Sequence, residues 1–252
     1  LLLSSVLILS FASTASASAL DDLSLKLAQL QSVLEEYVTP GGEVLGADVV
    51  RVTSDQELAN AISAATGGET IQLAPGSYGT IYINAGQYNK VSVGGTSLSG
   101  AAPSPNSRVV IESQDSNNPA IVSSIDVRDS NNWYFNTLAI RPSTGKRSFY
   151  AVSLQGTNSG IGNSSLTYGD STGWTSANWN SAGNGISITG ENGIIENNTL
   201  TAVNHGFMVG STADNTVVRN NTIDGIAGDG MRVLADDTVV EYNLFKNFKG
   251  VN

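Results

Sequence analysis

The residues of this chain that could do chemistry together are His205, Asp229 and Arg232. His205 is the single histidine, Asp229 follows 24 residues later, and Arg232 three after that. If each repeat of the chain stacks on the last, adjacent strands lie about 4.8 Å apart and these side chains become neighbours. A carboxylate beside an imidazole orients it and stabilises its protonated form, which suits general acid–base work. A guanidinium alongside can clamp or neutralise a substrate carboxylate. The three are therefore candidate catalytic residues. The same column, with Tyr150 and Asn184 as earlier members, also fits a polar turn ladder that simply satisfies its histidine.

A second group lies in residues 168–180, which hold Tyr168, Asp170, Trp174 and Trp179, including two of the three tryptophans. Flat rings flanked by Asn and Asp offer an apolar surface to a sugar ring and polar groups to its hydroxyl edge. Tyr168, Trp174 and Trp179 are thus candidate substrate-binding residues, unless the tryptophans only pack the segment onto the wall. A third group, Glu196, Arg219 and Glu241, alternates in charge one repeat apart. Arg219 separates the two carboxylates, so the column is a salt-bridge ladder and no metal site is identified.

All three groups depend on a repeat of about 22 residues. Ile195-Glu-Asn-Asn198-Thr-Leu200, Val218-Arg-Asn-Asn221-Thr-Ile223 and Val240-Glu-Tyr-Asn243-Leu-Phe245 place Asn198, Asn221 and Asn243 at steps of 23 and 22. A fixed period of this size marks units that bury their apolar face only against neighbours. Two inward strand columns follow. The first holds Val152, Ile186, Phe207 and Met231, with Leu154, Ile188, Val209 and Val233 two residues on. Ser153, Ser187, Met208 and Arg232 alternate outward between them, and Ile125-Asp-Val127 is an earlier member. The second column is expected to hold Leu138, Leu166, Leu200, Ile223 and Phe245. The asparagines form a turn ladder of stacked amides. Asn163, Asn197 and Asn220 also begin glycosylation sequons, but these coincide with the repeat, which favours the ladder. Leu166 to Leu200 spans 34 residues, about 12 beyond one repeat, and the excess is the aromatic segment. Insertions in repeat proteins project as loops, often on the binding face.

Composition agrees with short strands and tight turns. The chain has 252 residues with 27 Gly and only 13% charged residues. A net charge of −10 argues against a nucleic-acid partner, which needs clustered Lys and Arg. Cysteine is absent, so packing and hydrogen-bond ladders must stabilise the fold. Residues 1–19 are expected to be a signal peptide, with an apolar run ending in Ala17-Ser-Ala19 and too short to span a bilayer. The missing Met start and basic region point to a clipped beginning. Residues 20–50 carry an amphipathic helix, with Leu23, Leu27, Leu30 and Leu34 on one face, and a linker. Ser54-Asp-Gln-Glu57 is a capping box opening a short helix to about Ala65, expected to plug a solenoid core. Thr70-Ile-Gln-Leu73 and Ile81-Tyr-Ile83 are strands. The repeat reaches Asn252 without a cap, so the β domain, residues 51–252, is expected to continue in a longer parent chain.

Thr70-Ile-Gln-Leu-Ala-Pro-Gly-Ser-Tyr78 and the repeated N-x-T-hydrophobic rungs resemble the pectate-lyase-type superfamily of right-handed β-helices, over residues 51–252. The resemblance implies an all-β fold, a right-handed parallel β-helix (solenoid) with a short N-terminal capping helix, and action on acidic polysaccharides. His205-Gly-Phe-Met-Val-Gly-Ser211 is similar to the G-H-G-x-x-x-G-S stretch of polygalacturonases, with Met231-Arg-Val233 at their R-I-K. However, Gly183-Asn-Gly185 stands where they carry paired Asp, and glycoside hydrolysis needs two carboxylates. Tyr242-Asn-Leu-Phe-Lys-Asn-Phe248 resembles a rung of the chondroitinase B and alginate lyase group. Calcium, where that group uses it, would be held by acidic residues past Asn252. The alginate epimerase motif D-P-H-E is absent.

The expectation is a secreted protein, extracellular or periplasmic, with no membrane span in the mature chain, engaging polysaccharide as a lyase-like enzyme. His205 or Asp229 would be the base and Arg232 the neutraliser. The alternatives are a non-catalytic carbohydrate-binding or adhesion solenoid, and a structural spike.

Overall fold

The structure is a computed structural model that describes residues 49–143 and 149–249. The expected signal peptide and nearly all of residues 20–50 lie outside the described residues. The chain runs β1 (Val49–Val52), α1 (Asp55–Ala64), β2 (Thr70–Leu73), β3 (Ser77–Asn84), β4 (Lys90–Val93) and β5 (Thr96–Ser99). Next come β6 (Val109–Ser113), β7 (Ile121–Arg128), β8 (Trp133–Asn136), β9 (Ala139–Ile140) and β10 (Tyr150–Leu154). They lead to β11 (Gly160–Gly162), β12 (Ser165–Thr167), α2 (Ser176–Ser181), β13 (Asn184–Ile188), β14 (Ile194–Glu196) and β15 (Thr199–Val203). The last strands are β16 (Phe207–Val209), β17 (Val217–Arg219), β18 (Thr222–Ile226), β19 (Met231–Val233), β20 (Val239–Glu241) and β21 (Leu244–Phe248).

From β8 onward each full repeat adds three strands. One joins an 8-stranded sheet ordered β1-β2-β6-β8-β11-β14-β17-β20. The other two join opposite arms of a 13-stranded sheet, β10-β13-β16-β19 on one arm and β9-β12-β15-β18-β21 on the other. The arms meet at β7, which pairs with β10 through Ile125–Val127 and with β9 through Ile121–Val122. The sheet therefore curls along a single long strand. Pairing between repeats is parallel throughout, and only the β3–β4 and β4–β5 pairs are antiparallel. This antiparallel meander was not expected. With α1, it occupies the N-terminal end of the stack.

Helix α1 forms where its signals lie. Ser54 Oγ accepts the Glu57 N–H at 3.3 Å, and the Glu57 carboxylate accepts from the Thr53 backbone and hydroxyl, one residue upstream of a true capping box. Leu58, Ala59 and Ile62 are fully buried in the same apolar cluster as the strands, as a plug requires.

The strand columns occur as expected in the first arm. Val152 faces Ile186, which faces Phe207, which faces Met231. The second column needs one correction. Leu166 pairs with Ile140, not Leu138, and continues through Leu200, Ile223 and Phe245. A shift of two residues keeps a side chain on the same face of a strand, so an apolar pattern alone cannot tell the two apart.

Leu138 instead precedes the ladder, in which Asn198 and Asn221 are buried and Asn243 partly so. Asn221 Oδ1 accepts from the backbone and amide nitrogens of Asn198 at 2.9 and 3.0 Å. Asn243 Oδ1 does the same for Asn221 at 3.0 and 2.9 Å. Each side-chain amide also donates to a carbonyl one repeat back, from Asn198 to Ile161 and from Asn221 to Ile195. Asn198 Oδ1 accepts from Ser164 N, and Ser164 Oγ accepts from Leu138 N. The sequon residues Asn163, Asn197 and Asn220 sit one position earlier, exposed, with φ of 50, 56 and 55°. Asn tolerates that left-handed bend better than most residues, so adjacent asparagines do different jobs.

Outside the 8-stranded sheet, Arg219 donates to Glu196 Oε2 at 2.7 Å, and Tyr134 donates to Oε1 at 2.8 Å from two strands away. The phenol crosses Gly162, where any Cβ would collide with its oxygen. Burial alone would raise the Glu196 pKa, but the hydrogen bonds from Arg219 and Tyr134 outweigh it and hold the carboxyl below its ordinary 4.5.

Two stability tests follow. Asn221→Ala strips a ladder rung and leaves the Asn198 N–H without its acceptor, a loss of about 2–3 kcal/mol by chemical denaturation. Asn220→Gly, at the exposed left-handed bend, should change stability by less than about 1 kcal/mol; equal losses from both would contradict the ladder. A carboxyl with a lowered folded pKa stabilises above its unfolded pKa and stops doing so as pH falls through the folded value. Glu196→Gln should therefore lower Tm at pH 7, and the gap from wild type should close toward about pH 3; a pH-independent gap would assign the loss to packing.

Candidate functional site

The first arm brings the expected catalytic residues into one cleft. Tyr150 pairs with Asn184 at the start of β10 and β13, and His205 and Asp229 follow in the same column just before β16 and β19. Arg232 projects from the centre of β19, beside Met208. Gly185 and Gly206 come next in the column, and a Cβ on either would strike a carbonyl oxygen of the following repeat. The chain can approach its neighbour this closely behind the polar residues because those positions carry no side chain. Tyr150, Asn184, His205, Phe207, Met208, Asp229 and Arg232 line a cleft of about 240 Å³.

The contacts differ from the expected carboxylate–imidazole pair. His205 Nδ1 accepts the backbone N–H of Asp229 at 2.9 Å, while the Asp229 carboxylate stands 3.7 Å away. Arg232 holds that carboxylate instead, at 2.8 Å. The imidazole also lies against the backbone of Gly228, where a Cβ would overlap its Nδ1 and Cε1. A nitrogen that accepts an N–H bears no proton, so the geometry assigns the neutral ring proton to Nε2. His205 is thus oriented by a main-chain amide, with its ring proton on Nε2. Its own backbone N–H reaches Asn184 Oδ1 at 3.3 Å, which also accepts from the buried amide of Asn204. Tyr150, half-buried in the same cleft, has its phenol pKa pushed up by burial; Arg232 pulls the other way and Asp229 adds to the rise. It is a protonated donor, unassigned from sequence because a tyrosine at a turn signals no particular chemistry.

The aromatic segment forms a separate cleft. It is not a bare loop: Thr175 caps α2, its hydroxyl accepting from Asn178 N while Asn178 Oδ1 accepts from Thr175 N at 2.9 Å. The Thr175-x-x-Asn178 spacing carried this signal. Trp179 is 5% exposed and packs against Gly225, so it has no ring face to offer a ligand. It supports Trp174 edge-on, with ring centroids 4.8 Å apart. Tyr168 donates its hydroxyl to the Asn184 carbonyl at 2.9 Å, and burial pushes its pKa far up. Tyr168 and Trp174, with Pro142, Ser143, Asn178, Ser181 and Ala182, line about 210 Å³. Of the three expected ligand-binding rings, two are placed at a surface cleft and one beneath it.

Among the described residues no group of three or more acidic, His or Cys side chains is arranged to hold a metal. The calcium implied by the resemblance therefore finds no donor set in them. No helix among them is long and apolar enough to cross a membrane.

No protein-family model matches the chain, and no curated protein matches it. Among solved structures, an alginate lyase from Paenibacillus sp. str. FPU-7 is similar with a TM-score of 0.44 and 13% identity, over 79% of this chain and 76% of that one. A mutant of AlyGC, a PL6 family alginate lyase, is similar with a TM-score of 0.40 and 8% identity, over 80% of this chain and 39% of that one.

The histidine geometry predicts a spectrum. With a single imidazole in the chain, nitrogen-15 NMR at neutral pH should show an unprotonated Nδ1 and a protonated Nε2. The reverse pattern would mean that the Asp229 amide does not hold the ring.

Proposed function

We propose that this chain is a secreted right-handed parallel β-helix protein that cleaves uronate-containing polysaccharide by elimination. The observation that carries the reading is the 240 Å³ cleft in which a guanidinium, a carboxylate and an imidazole from successive repeats converge. Elimination needs three things: neutralisation of the uronate carboxylate, a base for the proton on the adjacent carbon, and a proton donor for the departing glycosidic oxygen. Arg232 pairs with the substrate carboxylate and makes that proton more acidic. Asp229, the unprotonated group beside it, removes the proton. The electrons of the C5–H bond form the C4=C5 double bond as the C4–O bond breaks. The phenol of Tyr150, which lines the same cleft, protonates the oxygen that leaves, while the His205 imidazole holds Asp229 in place through its backbone N–H. Asp229 ends with one proton more and Tyr150 with one fewer, and exchange with water restores both. No step is routed through a metal.

One observation favours the alternative, a carbohydrate-binding solenoid without chemistry. Asp229 is tied to Arg232 at 2.8 Å, so the guanidinium occupies the oxygen that would take the proton. The lyase reading therefore requires the substrate carboxylate to take over the Arg232 contact and release Asp229.

The test is to incubate the complete protein with alginate, pectate and chondroitin and follow the ultraviolet absorbance of unsaturated uronate. Product with one substrate, reduced at least about 100-fold in Arg232→Ala and in Asp229→Asn, is the expected result. Retained binding with no product on any of them would establish the binding module instead.

A further inference from the structure

The aromatic insertion has a geometry that the charged cleft does not need. We infer that the cleft of Tyr168, Trp174 and Asn178 is a second carbohydrate site, one that takes the face of an uncharged pyranose independently of Arg232. Among the described residues none that lines it is charged, whereas the other cleft carries His205, Asp229 and Arg232. Among the described residues, charge on the ligand thus has a counterpart in the first cleft and none in the second. Recognition in the second rests on a ring face and on hydroxyl partners.

The second cleft is built in advance. Trp174 is half-buried, and the buried Trp179 holds its ring edge-on at 4.8 Å. The capping box of α2 fixes the turn between the two tryptophans. The hydroxyl of Tyr168 is pinned to the Asn184 carbonyl, so its ring stands as a fixed wall. A rigid aromatic face loses little conformational freedom on binding and offers a flat apolar surface, which suits the axial C–H groups of a sugar. Asn178 uses its side-chain oxygen on Thr175 and leaves its amide nitrogen to donate to a ligand hydroxyl. Ser181 donates to Ala177 and keeps its oxygen as an acceptor. At 210 Å³ the cleft is smaller than the 300 Å³ or so at which drug-sized sites begin, a size that suits a single sugar ring.

The two clefts share one residue. The Asn184 side chain lines the charged cleft, and its carbonyl receives Tyr168 from the insertion. A polymer held at both would gain avidity from the second contact without any change at the first.

Trp174 supplies its own probe, because Trp133 and Trp179 are buried. The experiment titrates the complete protein with cellohexaose, an uncharged hexasaccharide, and with a mannuronate hexamer, following tryptophan emission and acrylamide quenching. The wild type and Arg232→Ala should show equal protection of Trp174 by cellohexaose. Trp174→Ala should weaken cellohexaose binding roughly tenfold by calorimetry. Absence of protection by cellohexaose in the wild type overturns the proposal, and that measurement needs no variant. Protection that only the acidic hexamer gives, and that Arg232→Ala abolishes, overturns it too, because Trp174 would then belong to the charged site. Neither result depends on whether the charged cleft is catalytic.

Discussion

Parallel stacking of one repeat on the next is the constraint from which everything else in this molecule follows. A parallel ladder requires each repeat to retrace the backbone path of its neighbour, bends included, because every N–H and C=O at the interface must find a partner. Strand segments meet this requirement without help. The bends do not, and there the side chains of Asn198, Asn221 and Asn243 stand in for backbone groups, Asn198 and Asn221 bonding to the repeats on either side and Asn243 to those before it. The exposed residues just before them, Asn197, Asn220 and Tyr242, take the left-handed conformation that starts the bend. Two kinds of residue thus hold the register, one by hydrogen bonding and one by backbone conformation.

Register in turn builds the charged cleft. Because the repeats are in phase, one residue position recurs as Tyr150, Asn184, His205 and Asp229, and polar groups distant in sequence become adjacent. A column of this kind is free to vary in chemistry as long as its backbone path is kept, since none of its side chains belongs to the apolar cluster. The insertion before α2 uses the same freedom differently. It leaves the ladder after β12 and returns at β13 in phase, so it adds an aromatic cleft without disturbing the stack.

Much of this was legible from residue order. The strand columns, the Asn ladder, the Glu196–Arg219 pair and the position of the insertion all rest on period, and a repeat displays its period openly. The errors came where period is silent. Leu138 and Ile140 are both apolar and two residues apart on one face, so only pairing could choose between them. The β3–β5 meander lies outside the repeat and left no periodic trace. Trp179 was grouped with Trp174 because composition does not distinguish a ring that supports from one that is exposed.

Residue order alone specified which side chains share a column, because alternation and repeat length place them with no knowledge of distance. The folded chain decided how the members of a column treat one another. Asp229 and His205 had to be neighbours, but whether the carboxylate would bond the imidazole or the guanidinium depended on backbone direction at Gly228. There the main-chain N–H of Asp229 reaches Nδ1 first and turns the carboxylate toward Arg232. Hydrogen bonds are settled by differences of an ångström and a few tens of degrees, and a spacing of 24 residues does not carry that information.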